Sequence, residues 1–205
     1  MKKLLVASAI ALFGLSNAQI AKGTTYITGQ VGYEGTTNNN NNVSEGTFSI
    51  VPNVGYFVDT NVAVGLGIGY TNTTAKATID NVEAKDIVSA FVVEPYARKY
   101  WNLGEKLYIF GQLSVPMTFG TYKEEKAGQE IYKTNVNSYG VVVAPGLDYF
   151  INKNWSIEAT IGKFGYQSTK VDVEGAKNIE NYGFGLDLNN IKFGVKYIFG
   201  AKEAK

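Results

Sequence analysis

The chain has 205 residues, enough for one domain, and its charge is nearly balanced, with 19 Lys and Arg against 18 Asp and Glu. The absence of cysteine excludes disulfides, thiolate metal sites and cysteine nucleophiles, and the absence of histidine excludes Ser/His and Asp/His catalysis. A nucleic-acid-binding protein would carry a clustered basic excess, so no nucleic-acid partner is expected.

The first 18 residues have the layout of a secretory signal peptide. Lys2 and Lys3 precede an apolar run from Leu4 to Leu15, and Ser16-Asn17-Ala18 places small residues before a cleavage point. The apolar run is too short for a transmembrane helix, which needs about 20 residues. The sequence therefore predicts export, with residues 1–18 removed and residues 19–205 forming one domain.

Eight segments of the remaining chain alternate between large apolar residues and small or polar residues. This alternation is typical of strands with two unlike faces. In Val62–Tyr70, which shows it most clearly, Val64, Leu66 and Ile68 alternate with glycines. In chain order the predicted strands are Thr24–Glu34, Thr47–Val58, Val62–Tyr70, Ile87–Trp101, Leu107–Phe119, Tyr139–Phe150, Trp155–Gly162 and Ile191–Phe199.

The connections between these strands alternate in length. Short connections occur at 59–61, 102–105 and 152–154, and long loops are predicted near 35–46, 72–86, 121–137 and 167–183. Short periplasmic turns and longer external loops are typical of outer-membrane barrels, whose tilted strands need about 9–11 residues to span. The sequence therefore predicts an all-β fold, an eight-stranded antiparallel up-and-down transmembrane β-barrel in the cell outer membrane.

The composition of the two faces indicates lipid outside the barrel. A soluble, lipocalin-like barrel is the alternative, but its outer face would carry many charges, whereas here the second face is mostly small residues that suit a narrow interior. The bulky face is almost uncharged, as a lipid-facing surface requires. Aromatic residues at the segment ends predict an interfacial girdle: Tyr33, Tyr56, Tyr70, Trp101, Phe119, Tyr122, Tyr149, Trp155 and Tyr197.

A hairpin pattern recurs along the chain. Val51-Pro52-Asn53-Val54-Gly55-Tyr56-Phe57 matches Ala144-Pro145-Gly146-Leu147-Asp148-Tyr149-Phe150, and the segment from Glu94 to Tyr100 is a looser copy. With these motifs the chain resembles the outer membrane protein β-barrel domain family of small barrels, common in Bacteroidota. The resemblance covers essentially the whole of residues 19–205. It implies a small closed barrel linked to surface interaction, stress defence or small-solute passage.

Five charged residues fall on the inward face of the predicted strands and form a candidate polar network in the lumen. They are Glu94, Arg98, Glu158, Lys192 and Lys196. A narrow barrel cannot leave such charges unpaired without a large free-energy cost, so we expect them to pair. The network either satisfies the interior alone or acts as a gate or selectivity element for small solutes.

No catalytic, cofactor-binding or metal site is predicted. Asp80, Glu83 and Asp86 lack the ligand spacing of a calcium loop and are interpreted as a solvated loop. Three functions are weighed: a surface barrel whose external loops bind a partner, a narrow porin-like channel, and an enzyme using carboxylates alone, which the sequence disfavours. The expected partners are outer-membrane lipid, lipopolysaccharide and the barrel assembly machinery.

Two irregular features also call for predictions. Proline cannot donate to a sheet ladder, so Pro52, Pro95, Pro116 and Pro145 predict local bulges. The alternation slips by one residue between Ile161 and Phe164, and again between Leu188 and Ile191, which indicates either further bulges or places where the strands leave the membrane. The residues after Phe199 extend past the aromatic residue on which such barrels usually end.

Overall fold

The computed structural model describes residues 20–39, 42–79, 82–185 and 192–199, which form a single antiparallel sheet. Within this part of the chain, no helix is long and apolar enough to cross a membrane. The eleven described strands are β1 (Thr25–Asn38), β2 (Val43–Asp59), β3 (Val62–Ile79), β4 (Val82–Asn102), β5 (Leu107–Ser114), β6 (Met117–Lys126), β7 (Gln129–Phe150), β8 (Trp155–Thr160), β9 (Lys163–Val171), β10 (Ile179–Gly185) and β11 (Lys192–Phe199).

The sheet closes on itself. Strands that lie next to each other along the barrel pair in antiparallel fashion, and β11 closes the sheet by pairing with both β8 and β1. The closing ladder runs from Thr25 opposite Phe199 to Gln30 opposite Gly194. The fold is therefore the predicted all-β, antiparallel barrel, whose closure leaves no sheet edge along this ladder.

The described residues form eleven strands and not the predicted eight, because three walls of the barrel are each made of two strands. Strands β5 and β6 both pair with β4 and β7 in one continuous register, so they are two parts of the predicted fifth strand. Similarly, β8 and β9 both pair with β7 and together form the seventh. The last wall comprises β10 and β11, and the residues between them, including Ile191, lie outside the described residues.

Prolines account for the two described interruptions. Val115 N donates to Pro95 O at 3.0 Å, and Ile161 N donates to Pro145 O at 3.0 Å. Because proline has no N–H, the return bond of each pair is missing and the ladder breaks there. The register nevertheless continues past Pro52, Pro95 and Pro116 with no shift, so the bulges predicted there are wrong, whereas the pairing of β7 with β8 and β9 does move by one residue at Pro145.

A bulge does occur at Gly162, where the slip in alternation predicts one. Strand β7 pairs Gly146 with Thr160 on β8, but Val143 with Phe164 on β9, a register that has moved by one residue. Gly162 has φ of 72°, a left-handed conformation that glycine adopts at little cost. The second predicted slip, between Leu188 and Ile191, lies outside the described residues.

Most residues of the predicted long loops belong to strands instead. Strands β1 and β2 pair out to Asn38 opposite Val43, and β3 and β4 pair out to Ile79 opposite Val82. The Thr- and Asn-rich segments lack an apolar face, yet β-branched residues favour strand and in-register pairing satisfies their backbone groups. At the β6–β7 turn Ala127 and Gly128 both have positive φ, 52° and 78°, as a tight hairpin turn requires.

Large apolar side chains point outward along the wall. Ile50, Tyr70, Phe91 and Phe119 lie side by side on β2, β3, β4 and β6, each between 42% and 49% exposed. At the other end Trp155 lies opposite Tyr197, with ring centroids 4.8 Å apart. The interval from Phe91 to Trp101 on β4 matches the about 9–11 residues of a spanning strand. Tyr122 departs from the predicted girdle and points inward.

Three inward glycines make room for aromatic rings on neighbouring strands. A Cβ at Gly55 would overlap the Tyr26 ring, and one at Gly65 would overlap the Tyr96 ring. A Cβ at Gly146 would likewise overlap the Phe110 ring. The small residues of the inward face thus exist partly to receive large ones, which is how a narrow barrel fills its interior.

Candidate functional site: a charged network in the lumen

Four charged side chains from four different strands meet inside the barrel. Arg98 comes from β4, Asp148 from β7, Glu158 from β8 and Lys196 from β11. Each lies on the inward side of its strand because it alternates with outward apolar residues. All four are at most 4% exposed, so they form a buried cluster, the lumen network.

Ion pairs link the lumen network into one chain. Arg98 Nη1 donates to Glu158 Oε2 at 2.7 Å, and Lys196 Nζ lies 3.2 Å from the same oxygen. Lys196 also pairs with Asp148 Oδ2. Glu158 therefore serves two cations, and Lys196 serves two carboxylates.

Neutral polar groups complete the shell around Arg98 and Glu158. The guanidinium of Arg98 donates to Gln112 Oε1 through Nε at 2.9 Å and Nη2 at 2.6 Å. The hydroxyl of Tyr100 accepts from Arg98 and from Lys196, each at 3.0 Å. Thr28 Oγ1 donates to Glu158 Oε1 at 3.1 Å.

The charges of the lumen network balance, with two cations against two carboxylates. Burying a charge without a partner costs several kcal/mol, and only close pairing with further hydrogen bonds offsets that cost. Aromatic rings add to the stabilisation of the cations, because Arg98 lies 4.1 Å from the Phe110 ring centroid and Lys196 lies 5.0 Å from that of Tyr26. Asp148 Oδ1 and Ser156 Oγ are buried polar atoms that find no hydrogen-bond partner within the described residues.

Of the five residues that the sequence predicts for this network, the structure brings three together: Arg98, Glu158 and Lys196. Glu94 is half-buried and lies at the edge of the cluster, where its Oε1 accepts a 3.3 Å bond from Gln112 Nε2. Lys192 is exposed at the start of β11 and lies apart from the cluster.

Asp148 is the member that the prediction leaves out. It occupies the same face as Gly140 and Gly146, opposite the outward Leu147 and Tyr149, so the alternation already places it inside the barrel. Its pairing with Lys196 could not be found from sequence, because β7 and β11 are not neighbours in the sheet.

Aromatic side chains fill the lumen beside the network, toward the end of the barrel with the short turns. The aromatic cluster comprises Tyr26, Phe57, Tyr100, Tyr108, Phe110 and Phe150, and its neighbouring ring centroids are 5.1–6.4 Å apart. Such separations are typical of favourable tilted and edge-to-face contacts. Ile20, which precedes β1, packs against the same cluster. The lumen network and the aromatic cluster together occupy the interior at this level.

Charges at the opposite, outer end divide between the two faces of the extended hairpins. The hydroxyl of Tyr122 lies 2.8 Å from Asp86 Oδ1 on β4 and 2.8 Å from Glu124 Oε1, and it can donate its single proton to either of these inward-facing carboxylates. Lys85 pairs with Glu83 at 2.7 Å on the outward face, and this hydrogen bond holds the pKa of Glu83 below its usual range. Asp80 lies outside the described residues, and those that are described contain no group of three or more acidic side chains able to hold a metal ion.

A closed antiparallel sheet with an apolar outward belt, two aromatic rims and a charged interior defines a membrane-spanning β-barrel. The chain belongs to the outer membrane protein beta-barrel domain family, whose model matches residues 5–199. It is accordingly an outer-membrane barrel protein.

Two solved structures are similar to this chain. The N-terminal β-barrel domain of Pseudomonas aeruginosa OprF has 12% sequence identity and a TM-score of 0.47, covering 87% of this chain and 98% of that one. Neisserial surface protein A (NspA) has 14% identity and a TM-score of 0.47, covering 86% of this chain and 97% of that one. No curated protein sequence matches this chain significantly.

Proposed function

We propose that this protein is a non-enzymatic outer-membrane barrel whose outer hairpins serve surface interaction or envelope integrity. One observation carries the proposal: the ion-paired lumen network and the packed aromatic cluster fill the interior, whereas four hairpins extend as paired strands beyond the apolar belt. Binding residues are commonly displayed on segments that a rigid scaffold positions, and these hairpins are such segments.

The proposal includes the route by which the chain reaches its membrane. Residues 1–18, which lie outside the described residues, act as a cleaved signal peptide. The barrel assembly machinery then inserts the domain, and lipid and lipopolysaccharide surround it. An enzymatic role is not proposed, because neither histidine nor cysteine is present and the buried carboxylates are engaged with Arg98 and Lys196.

A narrow channel for small solutes is the second candidate. Glu158 holds two cations and Lys196 holds two carboxylates, so the network contains alternative partners through which its pairs could exchange. Movement of Lys196 from Asp148 toward Glu158 would shift charge across the lumen, and it would leave Asp148 without its cation, which opposes opening. This arrangement favours a gated rather than a permanently open pore.

The two candidates are separated by conductance and by hairpin deletion. For conductance, wild-type protein and Arg98→Ala are reconstituted in liposomes of phosphatidylethanolamine and phosphatidylglycerol. The surface role predicts no conductance above that of empty liposomes for the wild type. Wild-type conductance that changes in Arg98→Ala would replace the surface role with the channel.

For the hairpin test, residues 74–87 are replaced by Asn-Gly, which joins Thr73 and Val88 directly above the belt. We expect this variant to keep the heat-dependent electrophoretic mobility of a folded barrel while cells producing it lose adhesion or serum resistance. Replacement of Thr60-Asn61 by Asn-Gly at the short β2–β3 turn, at the other end of the barrel, serves as the control. Unchanged adhesion and serum resistance after shortening each outer hairpin in turn would overturn the surface role.

A further inference from the structure

The outward face of the extended hairpins contains a groove with a volume of about 580 Å³, formed by β1, β2, β3, β4 and β6. This outer groove is lined by Tyr33, Ser44, Thr74, Lys76 and Lys85 among others. Alternation along the strands places these side chains on the face that also carries the apolar belt. The outer groove therefore opens toward the surroundings of the barrel and not toward its lumen.

Tyr33 provides an aromatic platform at one side of the groove. Gly35 and Gly46 lie directly opposite each other on β1 and β2, and the ring of Tyr33 lies across both. A Cβ at either glycine would come within 3.2–3.3 Å of the tyrosine hydroxyl oxygen, so the glycine pair lets the ring approach the sheet. Tyr33 is still 78% exposed, which leaves much of the ring free for a ligand to stack on.

The rest of the groove combines hydroxyl groups with two lysines. Ser44, Lys76 and Lys85 occupy one row across β2, β3 and β4, with Glu125 of β6 next in that row. Two lysines directly opposite each other repel, and Glu83 and Glu125 offset this repulsion around Lys85. Because cations and carboxylates alternate here, the groove is better suited to a ligand that carries both hydroxyls and an anionic group than to a bare anion.

The position of the groove indicates where such a ligand would come from. Phe48 and Ile87 line the side of the groove that is nearest the belt. The next outward residues on their strands are Ile50 and Ser89. Ile50 lies opposite the belt residue Tyr70, which in turn lies opposite Phe91. The polar groove and the lipid-facing belt are therefore continuous. A molecule with its polar part in the groove would have its apolar part against the belt.

We propose that the outer groove binds the phosphorylated saccharide headgroup of a glycolipid in the surrounding outer leaflet. The saccharide stacks on Tyr33 and bonds to the hydroxyls of Ser44 and Thr74, while Lys76 and Lys85 bind its phosphate. The acyl chains lie along Ile50 and Phe91. The inference depends on the membrane setting alone, so it holds whichever role the hairpins and the lumen prove to have.

Native mass spectrometry of the detergent-folded protein with purified hexa-acylated, bisphosphorylated lipid A tests the proposal. We expect the wild type to retain lipid A in preference to phosphatidylglycerol. Losing a charge-assisted bond corresponds to about tenfold in affinity, so the double variant Lys76→Ala/Lys85→Ala, which loses two, is expected to bind about a hundredfold more weakly. Tyr33→Ala, which loses the stacking contact, is expected to bind about tenfold more weakly. Folding of every variant is verified from its heat-dependent mobility.

Two controls carry alanine substitutions of the same residue types on the β9–β10 hairpin, none of whose residues lines the groove. Tyr182, at 84% exposed, and Lys170 both lie on outward positions, and their alanine variants are expected to bind lipid A like the wild type. Dephosphorylated lipid A is expected to lose the contribution of the lysines but to remain sensitive to Tyr33→Ala. Equal binding by groove variants and wild type, or equal losses in the controls, would overturn the proposal. Equally tight binding of a soluble core oligosaccharide would overturn its assignment to a lipid.

Discussion

Lys196 on β11 forms an ion pair with Asp148 on β7, although these two strands share no ladder in the sheet. The pair therefore crosses the interior, and with Arg98 and Glu158 it ties together walls that backbone hydrogen bonds do not connect directly. The stability of the barrel should depend on these side chains far more than on surface charges of the same type.

Replacing Lys196 by methionine should lower the free energy of unfolding by about 3–5 kcal/mol, because it leaves a buried carboxylate without its cation. Urea unfolding in detergent micelles, followed by tryptophan fluorescence, measures the change. Lys192→Met is the matched control, four residues away on the same strand but exposed, and should stay within about 0.5 kcal/mol of the wild type. Equal effects of the two substitutions would contradict a structural role for the lumen network.

Gly55→Ala should destabilise the barrel by about 1–3 kcal/mol, because the added methyl group overlaps the buried ring of Tyr26. In a Tyr26→Ala background the same change should cost much less, since the ring is gone. Gly29→Ala is the control, because a Cβ there meets no atom within 4 Å. Additive costs for Gly55→Ala and Tyr26→Ala would show that the two residues do not compete for one space.

Leu66→Arg should lower stability in a bilayer by about 2–4 kcal/mol, because Leu66 points outward midway between the ends of the apolar belt. Unfolding titrations in large phosphatidylcholine vesicles provide the measurement. Asn135→Arg, at an exposed outward position of β7 beyond the belt, should have little effect. The lipid-facing assignment fails if arginine is tolerated equally well at both positions.

Gly162→Ala should cost about 1 kcal/mol, because φ of 72° is strained for a residue with a Cβ. Gly162→Asn should cost less, since asparagine adopts the left-handed region more readily than alanine. The urea midpoints of the two variants provide the comparison. A loss that grows with side-chain size instead would indicate crowding at the bulge in place of backbone strain.

The carboxyl group of Glu83 should titrate below its usual range in the folded protein, because Lys85 donates a hydrogen bond to it. A pKa that is lower when folded adds stability above the unfolded pKa, and this contribution is lost as the pH falls through the folded pKa. The effect on stability is small, since the pair is exposed. An NMR titration of the Glu83 side chain should show the usual pKa in Lys85→Met, whereas Lys133→Met should leave it lowered.

The alternation of residue types proved sufficient to predict the two faces of the barrel. It correctly places Arg98 and Glu158 inside and Leu66 outside, because a period of two residues follows from strand geometry alone. The same pattern also places Asp148 inside the barrel. Its role as the partner of Lys196 could not be predicted, because the pattern shows which face a residue occupies but not which distant strand it meets.

The outer hairpins and the strand count show where local patterns mislead. Residues such as Thr73 and Asn135 lie in segments without an apolar face and were predicted to be loops, yet ladder hydrogen bonds with neighbouring strands extend the sheet through them. The prolines were predicted to cause bulges, but Pro52, Pro95 and Pro116 leave the register intact, whereas the pairing of β7 moves by one residue at Pro145.

The ladder between Thr25 and Phe199 joins the two ends of the described barrel, and this sets an order for its assembly. Strand β1 lacks its second neighbour until β11 has been added to the sheet. Every shorter intermediate therefore has two unsatisfied backbone edges. Contacts of such large sequence separation form slowly and leave those edges open to pairing with other chains. A chain that stops before β11 is therefore prone to aggregate and does not form a smaller barrel.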